Sequence, residues 1–154
     1  MYIRHTILLI LILLLSANEA YADIVVIVNA ANPVTSLSRK QLTDMYMGRQ
    51  INFPNGDPAL PIDQAAGSSL RQQYYQELVG KSEAKINAYW ARLLFSGIAS
   101  PPRVLPTPEA VLQIVRENAA AIAYMEEASV SQDVQDNRVK VVFSLNAKNA
   151  LVRQ

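Results

Sequence analysis

The sequence has no cysteine and a single histidine, His5. Without cysteine there is no disulfide staple, no thiolate nucleophile and no lipid-accepting residue of the kind a bacterial lipoprotein needs. His5 lies in a segment read below as a leader, so the remaining chain has no imidazole. A Ser-His-Asp or Cys-His triad cannot be assembled from it, and neither can the usual His/Cys zinc sites. Catalysis would have to rest on carboxylates, lysine or tyrosine, and no closely spaced carboxylate pair stands out. The expectation is a protein that is not an enzyme and holds neither metal nor cofactor. A strong excess of either charge is also missing, the formal net charge being +1. That excludes a basic footprint for nucleic acid and a polybasic membrane patch, and leaves any electrostatic recognition local.

The first residues have a pattern of their own. Arg4 and His5 form a short basic start, Ile7 to Leu15 is an unbroken apolar run, and Ala20-Tyr21-Ala22 fits a small-x-small cleavage site. A membrane span needs roughly 20 apolar residues, so the run is too short to cross. Residues 1–22 read as a signal peptide cut before Asp23, which predicts a periplasmic protein with no membrane anchor after cleavage. Loss of Arg4 and Glu19 together leaves the charge at +1. What remains is the size of one domain, long enough to bury a single core. That domain is expected over 23–144, with a loose tail over 145–154.

Strand and helix signals then alternate. Ile24 to Val28 (IVVIV) is a β-branched run that predicts a strand buried on both faces, followed by a turn over Asn29 to Pro33. Ser38 and Gln41 form a capping box, Leu37 and Leu42 a hydrophobic staple, and Gly48 a left-handed stop. Phe53-Pro54-Asn55-Gly56 reads as a turn, and Leu60 to Asp63 as a short strand. Leu70, Tyr74 and Leu78 mark a helix ended by Gly80. Ser82 caps the next, with Ile86, Tyr89, Trp90, Leu93 and Leu94 as its core stripe and Trp90 as a packed anchor. Ser100-Pro101-Pro102 and Pro106 predict an extended connection. Thr107-Pro108 starts a helix buried through Ala110, Val111, Ile114 and Val115, with Asn118 as its left-handed end. Ala121 to Met125 is a strand, Glu126 to Val130 a helical turn, and Val139 to Phe143 the last strand. The alternation predicts an α/β fold, a small mixed sheet flanked by helices.

One stretch carries chemistry. In residues 61–75, PIDQAAGSSLRQQYY, a strand passes through Gly67 into a helix start. The first amides of a helix have no partner within it, and the helix dipole puts partial positive charge there. Gly67 permits close backbone approach, Ser68 and Ser69 offer hydroxyls, and Arg71 sits in the first turn. Together they suit phosphate or sulfate. The same residues also describe a serine that only caps its own helix, and composition does not choose between the two.

The order of motifs along the chain resembles the second lobe of the phosphate-binding proteins of ABC importers, in the periplasmic-binding-protein-like superfamily. The residues concerned are Leu42 to Gly48, the Asn55-Gly56 turn, Leu60 to Asp63 and Gly67-Ser68-Ser69, followed by Glu109 to Val115 and Ala121 to Tyr124. The resemblance implies one lobe of a type II periplasmic binding protein. It implies phosphate or a similar oxyanion held by Gly67, Ser68 and the amides of Ser69 and Leu70. In the family's Arg-x-x-Gly-Ser-Gly-Thr loop this chain departs three times: Gln64 stands where arginine is expected, Ser69 where the second glycine is, and Leu70 where threonine is. Arg71 is then the candidate replacement charge, with Gln64 a side contact.

A single lobe offers half a site. The other wall would come from a homodimer or a different protein, and an ABC permease is the implied transport partner. A second reading is a non-catalytic envelope interaction module that keeps the lobe fold without binding ligand.

Overall fold

The computed structural model describes residues 22–145. The leader and the tail fall outside the described residues, apart from Ala22 and Leu145. In chain order the elements are β1 (Ile24–Asn29), α1 (Arg39–Tyr46), β2 (Leu60–Asp63), α2 (Ser69–Val79), α3 (Glu83–Phe95), β3 (Arg103–Val104), α4 (Pro108–Glu117), β4 (Ala121–Glu126), α5 (Glu127–Gln135) and β5 (Val139–Leu145). The strands form one sheet in the order β3-β2-β4-β1-β5. β2 runs parallel to both β3 and β4, whereas β1 is antiparallel to β4 and β5. The expected mixed α/β sheet is therefore what the chain forms.

The β-branched run of β1 explains the layering. Side chains alternate across a strand, so Ile24, Val26 and Val28 enter one core while Val25 and Ile27 enter another. The first core is closed by α1, α2 and α3 through Tyr46, Tyr74, Leu78, Ile86 and Trp90. The second is closed by α4 and α5 through Val111, Leu112, Val115 and Val130. A strand apolar on both faces is stable only with helices on both sides, and that is the three-layer arrangement observed.

Local capping chemistry sets the helix starts. The Ser38 side chain accepts from the Gln41 amide at 3.2 Å, and the Ser38 amide donates back to Gln41 Oε1 at 2.8 Å. Ser68, Ser82 and Thr107 each cap a helix through the amide three residues on. At the end of α3 the Ile98 amide reaches Leu93 O and the Gly97 amide reaches Leu94 O, a Schellman turn with Gly97 at φ +68°.

Several expectations change. Asn118 does not take a left-handed conformation but an extended one, φ −131°. Its side chain accepts from the Ala120 amide at 2.9 Å, so an Asx turn leads directly into β4. Leu94 is not in the core: it is 58% exposed, and Leu93 is only partly buried. Leu93 still packs against the first core, while Leu94 and Phe95 in the last turn of α3 face solvent. Ala110 is only half-buried, and Leu112 takes the buried place. The connection after Pro102 includes a two-residue edge strand, β3, which proline-rich flanks conceal in the sequence. The turn expected at Glu126 to Val130 is a nine-residue helix, and β5 runs on to a buried Leu145.

Gly48 is held by more than its backbone. Its φ is +71°, and a Cβ placed on it would lie 2.7 Å from Trp90 Cη2. Gly56, at φ +91°, has open space around it. Gly48→Ala is expected to destabilise the protein by about 2 kcal/mol more than Gly56→Ala, because overpacking adds to backbone strain. Urea unfolding of the two variants measures this, and equal losses would show that Trp90 yields freely.

Candidate functional site

β2 ends in Asp63, whose carboxylate is 2% exposed. Oδ1 accepts from the Gln64 amide at 2.9 Å and from the Tyr124 hydroxyl. Oδ2 accepts from the Tyr75 hydroxyl at 2.8 Å and from Arg71 Nε at 3.1 Å. A buried carboxylate is tolerated only when its oxygens are met by donors, and here four donors from β4, α2 and the following loop meet it. Burial first, and then the negative charge of Asp63, pushes the phenols of Tyr75 and Tyr124 well above their ordinary range, so both remain donors. Tyr74 stacks on Tyr124 with ring centroids 3.6 Å apart, and Tyr46 meets both rings edge-on. These rings form the floor beneath the loop.

The loop itself, residues 64–68, turns away from the end of β2 and into α2. Gln64 is buried, and its side-chain amide donates to Tyr124 O at 3.0 Å. It faces the sheet, away from the rest of the predicted site. Gly67 is exposed at φ +81°, with nothing within 4 Å of a built Cβ, so its outer side is open. The Ser68 side chain accepts from the Arg71 amide at 3.2 Å, which leaves its hydroxyl proton free to donate. At the first two positions of α2, the amides of Ser69 and Leu70 make no hydrogen bond among the described residues. Gly67, Ser68, Ser69, Leu70 and Arg71 are thus brought together at one corner, at the carboxyl end of a parallel strand.

Arg71 does not hang free. Its side chain is 7% exposed and lies under the loop. Nε pairs with Asp63, Nη1 pairs with Glu83 Oε1, and both terminal nitrogens reach Asn87 Oδ1 at 3.2–3.3 Å. The guanidinium also lies over the Tyr75 ring, 5.4 Å from its centroid. Burial pulls the guanidinium down, but the Asp63 charge and the bonds to Asp63 and Glu83 outweigh it and hold it above its ordinary value.

Glu83, the first residue of α3, completes the corner. The same Oε1 that meets Arg71 accepts from the Gly67 amide at 2.9 Å. Partial burial tends to raise this carboxyl, but the Gly67 amide and Arg71 prevail and hold it below its usual 4.5. One guanidinium therefore faces two carboxylates. Beside the loop a solvent-open cleft of about 600 Å³ is lined by Ser69, Leu70, Gln73, Ser82, Glu83 and Glu126 among others, with no cationic side chain. Among the described residues no three His, Cys, Asp or Glu side chains gather as a metal site, and no helix is long and apolar enough to cross a membrane.

The sequence reading missed Asp63, Glu83, Asn87, Tyr75 and Tyr124 as members of this corner. Asp63 alone left a signal, a carboxylate closing an apolar strand just before the loop. Glu83 reads as an ordinary first-turn acid, and only the fold brings it, twelve positions on, into contact with Arg71.

No protein-family model matches the chain, and no curated protein matches it. Solved structures do. A putative phosphate ABC transporter substrate-binding protein from Clostridium perfringens, solved with bound phosphate, superimposes with a TM-score of 0.64 at 20% identity, over 87% of this chain and 51% of that one. An ABC-type phosphate transport receptor from Vibrio cholerae gives 0.59 at 21% identity, over 79% and 45%. A possible phosphate binding protein from Planctomyces limnophilus gives 0.56 at 14% identity, over 79% and 40%. The chain spans about half the length of the structures it matches. At these identities the likeness is one of fold, and the fold is that of one lobe of these proteins.

Breaking a buried ion pair by removing one partner costs about 3–5 kcal/mol. Asp63→Asn is expected to fall in that range by urea unfolding, and Tyr75→Phe to cost about 1 kcal/mol; an Asp63→Asn loss below that of Tyr75→Phe would contradict the network. Because the Glu83 carboxyl is held below 4.5 in the folded chain, its contribution is present above that pH and is lost as pH falls through the lower folded value. Wild type is therefore expected to lose more stability than Glu83→Gln as pH is lowered through and below 4.5, as measured by unfolding at each pH.

Proposed function

We propose that the chain is an exported, non-catalytic solute-binding domain that recognises inorganic phosphate or a related oxyanion at the Gly67–Leu70 loop. The observation that carries this reading is that the loop already binds a carboxylate: the Gly67 amide and Arg71 together hold Glu83. Donors that converge on one oxyanion are placed for another, and the open amides of Ser69 and Leu70 and the Ser68 hydroxyl adjoin them. The positive end of the α2 dipole adds to their field. The one-lobe fold, shared with proteins described as phosphate receptors, supports the same reading.

In this reading residues 1–22 direct export to the periplasm and residues 23–144 form the binding domain. A single lobe leaves its ligand open to water, where charge interactions are screened. The second wall comes from another copy or another protein, and an ABC permease is the downstream partner. Gln64, turned toward Tyr124, supports the corner from behind rather than touching the ligand.

A second reading has its own observations. Two carboxylates already engage Arg71. At the far end of α3, about 18 Å from Glu83 along the helix, Leu94, Phe95 and Ile98 are 58%, 98% and 72% exposed. Such an apolar tip suits an envelope interaction module that keeps the lobe without ligand.

Phosphate is expected to raise the melting temperature of the wild-type protein relative to chloride at matched ionic strength, and Ser68→Ala with Arg71→Ala to abolish the rise. A ligand at ~100 times its Kd stabilises by about 2.7 kcal/mol. An unchanged melting temperature at tens of millimolar phosphate would contradict recognition by the native chain and favour the second reading.

A further inference from the structure

Charge balance and helix capping do not by themselves require Glu83, although its carboxylate does stabilise the corner. Asp63 alone balances the charge of Arg71, and the two are paired at 3.1 Å with both side chains buried. The helix that Glu83 begins is already capped, because Ser82 accepts from the Lys85 amide. Yet the Glu83 carboxylate reaches back across the α2–α3 turn, where Gly80 stands at φ +65°, to the two donors an external oxyanion would use. Its side chain is 16% exposed, against 2% for Asp63, so it sits at the mouth of the corner rather than inside it. The outer side of Gly67 is open, and the cleft beside the loop is lined by Glu83 itself.

Resting on the oxyanion reading above, we infer that Glu83 is a tethered internal ligand of the Gly67 loop, which an external oxyanion must displace to bind Gly67 and Arg71. Three consequences follow from geometry and charge. An incoming anion competes with a carboxylate fixed on the same chain, so its apparent affinity is reduced by the fraction of loops that Glu83 occupies. A dianion is also repelled while Glu83 remains nearby and ionised. Displacement frees the first turn of α3 from the loop, so occupancy of the corner is coupled to the position of α3 relative to α2. Removing Glu83 leaves the Asp63–Arg71 pair intact and Asn87 still on the guanidinium, so the corner keeps its shape with one acceptor removed.

The test is calorimetric titration of inorganic phosphate into the full mature chain, as wild type, Glu83→Gln and Glu83→Ala, with circular dichroism to establish that each is folded. Glu83→Gln loses the charge but keeps an acceptor for the Gly67 amide; Glu83→Ala loses both. The expected order of affinity is Glu83→Ala, then Glu83→Gln, then wild type, with at least a tenfold gain for Glu83→Ala. Equal affinities across the three would overturn the tethered-ligand role while leaving phosphate recognition in place. Binding by Glu83→Ala alone would uphold that role and move the native chain to the non-binding reading. Absence of binding by all three folded proteins would overturn the oxyanion reading and, with it, the role of Glu83.

Discussion

A carboxylate at the end of a central strand, buried and met by four donors, organises this molecule. Asp63 would be costly where it lies if any of its lone pairs were left unmet. Satisfying it recruits Tyr124 from β4, Tyr75 and Arg71 from α2, and the amide of Gln64. Arg71, fixed by that demand, in turn collects Glu83 and Asn87 from α3. A single buried charge thus sets the positions of two strands, two helices and the loop between them. The tyrosine stack beneath it is the apolar half of the same arrangement, since Tyr124 gives its ring to Tyr74 and its hydroxyl to Asp63.

This constraint shapes what the corner can do. An arginine free in solvent pays rotamer entropy each time it grips a ligand. Arg71 has already paid, and it presents Nη1 beneath the loop in a fixed direction. The cost is that much of its charge is spent on Asp63. In the proposed reading, recognition depends on the neutral donors, namely the amides of Gly67, Ser69 and Leu70 and the hydroxyl of Ser68. It also depends on what becomes of Glu83.

Features written within four residues of each other were legible in the sequence. The Ser38–Gln41 box, the Ser68, Ser82 and Thr107 caps and the Gly48 stop follow from local chemistry, and the β1 run announced burial on both faces. The fold class followed from their order. Lost were features that depend on distant partners. Asp63 and Tyr124 are 61 positions apart, and Arg71 and Glu83 twelve, so a charge that reads as available is in fact engaged. Leu94 has the spacing of a core residue, but the last turn of α3 is left uncovered and the side chain is 58% exposed. Asn118 has the identity of a left-handed stop, but its side chain does better as an acceptor for Ala120. β3 is too short and too hemmed in by proline to show a period.

Oxyanion recognition at the loop is tested most sharply by a ¹H–¹⁵N spectrum of the uniformly labelled protein during titration with inorganic phosphate. The amide resonances of Gly67, Ser69 and Leu70 are expected to move together and saturably. The Arg71 Nε resonance is expected to respond with them, while the amides around Phe95 at the far end of α3 stay still. Resonances of the loop that remain fixed while phosphate rises to tens of millimolar, or shifts confined to some other surface, would contradict recognition there.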